Sequence, residues 1–163
     1  MTIATTGTGD GTATETKKKP RIRATRKDYA QFRQITTRWM DNDVYGHVNN
    51  VIYYSFFDTA VNAALIDAGV LAPERSEVIG LVVETGCRYA APISFPETVD
   101  AGIRVAQLGT SSVRYEIGLF RGDEEEASAE GFFVHVYVDR DSRRPAPLPE
   151  PLRAFLSGLV MNG

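Results

Sequence analysis

The segment Val51 to Ala68 constrains the fold more than any other part of the chain. It contains neither proline nor glycine, and Gly69 follows it, a residue that commonly ends a helix in the left-handed conformation. Asn49 and Asn50 precede the segment, and an asparagine side chain can accept a hydrogen bond from a free amide at a helix start. Because most of its positions are apolar, we predict a long central helix that is covered on most sides.

Strand-like segments lie on both sides of this helix in the sequence. Apolar residues recur among polar ones from Gln31 to Trp39, and period-2 alternation with turn residues between segments marks the region after the helix. The four later strands are predicted at Val78 to Tyr89, Thr98 to Leu108, Ser112 to Arg121 and Ala127 to Asp139. Prolines then end the sheet, and a short helix from Glu150 to Leu159 is predicted. One long helix with a mostly antiparallel five-stranded sheet is an α+β architecture.

The first 27 residues differ in composition from the rest. Met1 to Thr16 is rich in Thr, Gly and Ala, and a basic run follows it up to Lys27. The segment holds 7 of the 18 basic residues and 2 of the 21 acidic ones, so it carries +5 and residues 28–163 carry −8. We predict a disordered tail over 1–27 and one folded domain over 28–163. The tail is either a solvated extension or an arm for an acidic or phosphorylated partner.

Composition excludes several classes of function. A folded part with net charge −8 argues against a nucleic-acid-binding body. No apolar run approaches the roughly 20 residues that span a bilayer, and the N-terminus lacks the apolar core of a signal peptide. The single cysteine, Cys87, cannot form an internal disulfide and is expected to pack within a strand. We therefore expect a cytoplasmic domain that binds neither nucleic acid nor membrane.

The loop that begins at Asp41 brings carboxylates to the start of the predicted helix. The first amides of a helix lack internal partners and lie at the positive end of its dipole. They can therefore stabilise a developing oxyanion, and one such donor lowers an acyl-transfer barrier by about 3–4 kcal/mol. This layout suits a carbonyl substrate attacked beside a carboxylate, although Asp41 and Asp43 could equally be no more than loop caps.

A resemblance to a known family favours the first interpretation. Residues 38–50 read Arg-Trp-Met-Asp-Asn-Asp-Val-Tyr-Gly-His-Val-Asn-Asn, and with Tyr53 they resemble the signature of hotdog-fold acyl-CoA thioesterases of the 4-hydroxybenzoyl-CoA thioesterase type. Part of this stretch is also similar to plant-type acyl-ACP thioesterases. The resemblance implies a single hotdog domain, with a long helix wrapped by the sheet, that hydrolyses an acyl-CoA thioester to the free acid and CoA. Because water is the second substrate, it implies no cofactor or metal.

The resemblance also implies roles for individual residues. Asp43 takes the position of the catalytic carboxylate, which acts as nucleophile or general base, and Asn50 takes the position whose backbone amide polarises the carbonyl. His47 and Asn49 match residues that orient the site in the acyl-ACP group. Alternatively, His47 is only hydrogen-bonded within its loop and Asn49 only caps the helix. Asp58 is a second candidate carboxylate, unless it pairs with an arginine.

Substrate contacts and assembly complete these expectations. An edge strand is left exposed in an isolated hotdog sheet, and the family builds its sites between subunits, so a homodimer or homotetramer is expected. Rival functions are acyl-ACP hydrolysis, dehydration or hydration on the same fold, and acyl-thioester binding without catalysis.

The acyl channel is expected to involve Tyr45, Trp39 and Tyr53. The candidates for contacts to CoA phosphates are Arg88, Arg143 and Arg144, each of which could equally be a solvated surface residue.

Overall fold

The predicted central helix is present as α1, which runs from Ile52 to Asp67. Gly69, just beyond its end, has a φ of +70°, the left-handed conformation that glycine adopts without strain. The computed structural model of the protein describes residues 22–161, in which a second helix, α2, spans Glu150–Ser157. The five strands are β1 (Gln31–Thr36), β2 (Val78–Tyr89), β3 (Thr98–Leu108), β4 (Ser112–Arg121) and β5 (Ala129–Asp139).

All five strands belong to one sheet. Their order is β1-β3-β4-β5-β2, and every neighbouring pair is antiparallel. β1 and β2 are therefore the edges, and the register of β2 on β5 shifts between Val82 and Glu84. α1 packs across one face of the sheet, against β1, β3 and β5. The predicted α+β class and the hotdog fold, with one long helix held by an antiparallel sheet, are confirmed.

The core lies between α1 and the inner face of the sheet. Every second residue of β4 points inward, and Tyr115 and Ile117 are almost completely buried there. Phe57 of α1 is fully buried, and its ring occupies the space that a Cβ would need at Gly131 of β5. A glycine at this position therefore allows the helix to approach the sheet closely.

Four elements differ from their predicted bounds, and α1 is shorter than predicted by one residue at each end. β1 ends at Thr36 because Trp39–Asp41 forms a 3₁₀ turn. β5 begins at Ala129 instead of Ala127, and α2 ends at Ser157 instead of Leu159.

The described part of the predicted tail packs against the sheet. The Arg23 guanidinium donates to the Ala127 carbonyl oxygen at 2.6 Å. Arg26 pairs with Asp100 at 2.8 Å and lies over the ring of Phe120. Packing therefore begins before residue 28, where the folded domain was predicted to start. The rest of the predicted tail, residues 1–21, lies outside the described residues, as do residues 162–163.

One side of α1 and the edge formed by β2 are exposed in a single chain. Ser55, Asp58 and Thr59 are exposed on the helix. On β2, Val82 and Val83 are 47% and 60% exposed, which is high for apolar side chains in a strand. α1 is therefore less completely covered in one chain than its composition predicts.

Candidate active site

The loop between β1 and α1 folds as a small hairpin. The Asp43 N–H donates to the His47 carbonyl oxygen at 2.8 Å, and Asn42 forms an antiparallel bridge with Val48. Gly46 has a φ of +81°, which explains why a glycine occupies this turn. The hairpin brings the backbones of Asp43 and His47 side by side.

Hydrogen bonds fix this hairpin to the body of the protein. Asp41 is fully buried, and its carboxylate accepts from the backbone N–H of Arg38 at 2.7 Å and from the guanidinium of Arg38 at 2.8 Å. The Asn49 N–H donates to the Asp41 carbonyl oxygen at 2.8 Å, and the Val48 N–H donates to that of Ile93 at 2.7 Å. Asp41 therefore supports the loop and is closed to substrate.

Asp43 lines an open groove beside the hairpin. Its Oδ1 accepts a hydrogen bond from the Tyr45 N–H at 2.8 Å, and its Oδ2 accepts none within residues 22–161. Trp39, Tyr45 and Asn49 line the same groove, although Trp39 and Tyr45 are 81% and 82% exposed. A carboxylate with one free oxygen can take up a proton or attack a carbonyl carbon.

The start of α1 presents an unused backbone donor at Asn50. Its N–H donates to no acceptor in the described chain, while its carbonyl oxygen accepts from the Tyr89 hydroxyl at 3.0 Å. The expectation that Asn49 or Asn50 caps the helix is correct only in part. Val51 holds the N-cap position, and Asn49 Oδ1 accepts from the Val51 N–H at 3.1 Å. A free amide at the positive end of a helix can stabilise negative charge on an oxygen.

His47 and Asn50 line a second groove, of about 290 Å³, together with Tyr53 and Tyr89. Tyr53 is buried, and its ring meets that of Tyr89 edge to face at 4.9 Å between centroids. Burial raises the pKa of both hydroxyls, so both stay protonated at neutral pH. The exposed His47 ring forms no hydrogen bond to any residue in the range 22–161.

The predicted site residues are thus divided between two grooves that share one hairpin. Tyr89 was not predicted to belong to this site, because a strand pattern gives no sign that its last residue reaches the start of a helix far away in sequence. The first groove holds Asp43, Asn49, Trp39 and Tyr45, and the second holds His47, Asn50 and Tyr53.

Asp58 lies apart from the helix start. It is eight residues beyond Asn50 in the sequence, about 12 Å along the helix axis. Its Oδ1 accepts from Asn62 Nδ2 at 3.0 Å, and no arginine of the described residues pairs with it. Within residues 22–161 of one chain, Asp58 therefore bonds to Asn62 and to no arginine.

The three candidate arginines lie away from both grooves in a single chain. Cys87 packs against the core, and successive residues of a strand face opposite sides of the sheet. Arg88 therefore lies on the outer face, where it lines a polar pocket together with Arg114. Arg143 and Arg144 follow the end of β5. That end of β5 is paired with the Val78 end of β2, so these two arginines are remote from Tyr89.

Other sources of reactivity are limited. Burial raises the pKa of the Cys87 thiol to about 11, which disfavours the reactive thiolate. Among the described residues, no three His, Cys, Asp or Glu side chains are grouped so that they could hold a metal ion. Within the same range, neither helix has the length and apolar character needed to cross a membrane.

Comparison with known families decides the class of protein. The sequence model of the thioesterase-like superfamily matches residues 37–156, which include the hairpin, α1 and all strands after it. The chain belongs to the thioesterase-like superfamily. Membership makes it a thioester hydrolase, and the family predicted from the residues around Asp43 is confirmed.

Solved structures agree with this assignment. The PA5185 protein of Pseudomonas aeruginosa strain PAO1 is 53% identical, covers 86% of this chain and 99% of its own, and has a TM-score of 0.85. The PA2801 protein of the same species is 30% identical over 77% of this chain and 97% of its own, with a TM-score of 0.72. A thioesterase from Thermus thermophilus, solved with coenzyme A and zinc, is 30% identical over 80% of this chain and 95% of its own, with a TM-score of 0.66. A search of curated proteins finds no match.

Proposed function

We propose that the protein hydrolyses acyl-CoA thioesters at the start of α1, with Asp43 as the reacting carboxylate and the Asn50 N–H as donor to the carbonyl oxygen. The observation that carries the proposal is the unpaired Asn50 N–H beside a hairpin whose carboxylate has a free oxygen. Acyl transfer requires these two groups: a donor placed where the oxyanion develops, and a nucleophile or base.

The reaction follows from the chemistry of these groups. The Asn50 N–H donates to the thioester oxygen and binds it more strongly as negative charge develops there. Asp43 either attacks the carbonyl carbon, forming an anhydride that water then hydrolyses, or removes a proton from the attacking water. In both routes the C–S bond breaks, CoA leaves as a thiolate that takes up a proton, and the free acid remains. His47 and Asn49 orient the water and the substrate.

A second copy of the chain completes the site by pairing through β2. This edge strand exposes Val82 and Val83, and an unpaired edge is a template for another strand. When two β2 strands pair antiparallel about a two-fold axis, the Val78 end of one lies beside the Tyr89 end of the other. We expect a homodimer, or a tetramer made of two dimers.

The same pairing supplies positive charge for the phosphates of CoA. Arg143 and Arg144 of the second copy come within about two strand spacings, roughly 10 Å, of Tyr89. Local arginines are needed because residues 28–163 carry a net charge of −8. Arg88, on the outer face of the sheet, is a further candidate for a contact to a CoA phosphate. The coenzyme A in the Thermus thermophilus relative favours CoA over a carrier protein, and a CoA thioester fits a cytoplasmic enzyme.

A panel assay of the full chain tests this function. Release of free thiol is followed with acyl-CoAs from acetyl-CoA to hexadecanoyl-CoA, with benzoyl-CoA, and with acyl carrier protein thioesters. We expect CoA release from a subset of the acyl-CoAs. If free thiol is released only from the carrier protein thioesters, the substrate is an acyl carrier protein thioester instead of an acyl-CoA. A change in double-bond absorbance without thiol release would indicate a dehydratase or hydratase, and tight binding without turnover would indicate a binding protein.

A further inference from the structure

A cavity of about 290 Å³ lies beside the C-terminal half of α1, at the Val78 end of β2. Its walls are mainly apolar and include Leu65, Val70, Leu71 and Leu152. About 150 Å³ suffices to bind benzene in an apolar cavity, so this space can hold a ring or a medium-length alkyl chain. The hydrolysis step described above uses none of these residues.

Three side chains with hydrogen-bonding groups also line this cavity, and two of them are already paired. Asn62 Nδ2 donates to the carbonyl oxygen and to Oδ1 of Asp58 at 2.9 and 3.0 Å. The Tyr137 hydroxyl forms a 2.8 Å hydrogen bond with that of Tyr115. The third, His135, is 4% exposed, and its Nε2 has no hydrogen-bond partner in the described part of the chain. Its imidazole is therefore the hydrogen-bonding group that the protein leaves unused.

Glycine at position 80 leaves space beside this imidazole. A Cβ at Gly80 would lie 3.0 Å from His135 Nδ1 and 3.1 Å from the Tyr137 ring, so any side chain there would crowd both residues. Burial lowers the pKa of His135 to about 4, although the negative charge of Asp58 acts in the opposite direction. At neutral pH the ring is uncharged and offers one donor and one acceptor.

The cavity is placed to receive the part of a substrate that lies far from the reacting carbon. Within one chain, Asn62 is about 18 Å along the helix axis from Asn50, at 1.5 Å per residue. Antiparallel pairing of β2 with a second copy brings the cavity of one chain to the Tyr89 end of the other. An acyl chain held at Asn50 can then extend into the cavity of the partner.

We infer that this cavity binds the far end of the acyl group, and that His135 selects acyl groups that carry a hydroxyl or keto group there. The inference rests on the proposed function for the identity of the ligand as an acyl group and for the pairing of two copies through β2. Nε2 is itself buried, so a ligand hydroxyl or keto group would bond the ring through Nδ1, the nitrogen beside Gly80, for which no hydrogen bond is found within residues 22–161 either. A purely hydrocarbon chain fills the same space without that gain.

The test measures binding of free acids to the full chain by titration calorimetry, so that no turnover is needed. We expect wild type to bind 8-hydroxyoctanoate about tenfold more tightly than octanoate. His135→Phe should abolish this difference, and His135→Gln, which keeps a hydrogen-bonding group, should retain part of it. Val70→Phe, which fills the cavity, should weaken binding of both acids. Ile66→Phe, a matched change on the exposed side of α1, should leave both affinities unchanged.

Two results would overturn the inference: equal binding of the two acids by wild type, or unchanged binding by Val70→Phe. The assay separates this inference from the proposed function. If no thioester is hydrolysed but the His135-dependent difference is measured, the cavity assignment stands and the hydrolytic function fails. If acyl-CoAs are hydrolysed but the two acids bind equally, the cavity assignment fails and the hydrolytic function stands.

Discussion

The two ends of β2 border regions of opposite character. At the Tyr89 end, the hairpin is exposed and carries the Asp43 carboxylate, and hydrogen bonds that Asp41 accepts hold it in place. At the Val78 end, the cavity is apolar, and it contains a buried imidazole with an unpaired nitrogen. The hairpin end thus carries groups suited to reaction, and the cavity end carries groups suited to recognition. Because they lie apart in one chain, pairing of two copies is the simplest way to join them.

Removing the charge of Asp43 should have the largest effect on activity. We expect Asp43→Asn to lower kcat by about 1000-fold, because a positioned base or nucleophile is lost. Folding and acyl-CoA binding should be nearly unchanged, since the hairpin is fixed by Asp41. Steady-state kinetics, thermal unfolding and calorimetry measure the three quantities. Asp58→Asn removes the same charge from α1 and serves as the control. Full turnover by Asp43→Asn, with turnover lost in Asp58→Asn, would assign the reacting carboxylate to Asp58.

Removing the guanidinium of Arg38 should act mainly on stability. Arg38→Ala leaves the fully buried Asp41 carboxylate without its charged partner, and we expect a clear loss of free energy of unfolding in urea titrations. Arg33→Ala breaks a more exposed pair with Asp67 and should cost at most about 0.5 kcal/mol. Equal losses in both variants would show that the hairpin does not depend on Asp41.

The cavity end should make stability depend on pH. The pKa of His135 is about 4 when folded and about 6.5 in its ordinary range, so the unfolded chain binds the proton more readily between these values. The free energy of unfolding is therefore highest above about pH 6.5. It falls as the pH drops towards 4, because the unfolded chain takes up the proton first, and the loss is about 2 kcal/mol between pH 8 and pH 5. Urea unfolding at both pH values should show this loss in wild type and lack it in His135→Phe. The same pH dependence in both proteins would contradict a buried neutral imidazole.

The hydroxyl of Tyr89 should have the smallest effect of the four. Tyr89→Phe keeps the ring against Tyr53 but removes the hydrogen bond to the Asn50 carbonyl oxygen. Loss of one such bond costs about 1 kcal/mol, so kcat/KM should fall about fivefold with little change in thermal stability. Tyr29→Phe, which alters a tyrosine in the separate cluster with Phe120, is the control. An unchanged kcat/KM would show that the helix start is positioned without Tyr89.

Local patterns in the sequence predicted most of the fold and part of the site. Period-2 alternation predicted β4 correctly, because its inward residues are apolar and most of its outward residues are polar. The motif around Asp43 and Asn50 indicated the family that was confirmed. The contact of Tyr89 with Asn50 and the unpaired nitrogen of His135 could not be predicted, because they depend on how distant segments pack. The packing of Arg26 on the sheet is missed for the same reason.

Mixing two impaired chains tests most directly whether the two regions work together across two copies. Asp43→Asn retains an open cavity, and Val70→Phe retains Asp43, so a heterodimer contains one complete site if the hairpin of one chain uses the cavity of the other. Co-expressed with different affinity tags, the pair should recover about a quarter of wild-type activity on a medium-chain acyl-CoA, because half of randomly formed dimers are mixed. Activity no greater than the sum of the separate variants would contradict a site shared between two copies.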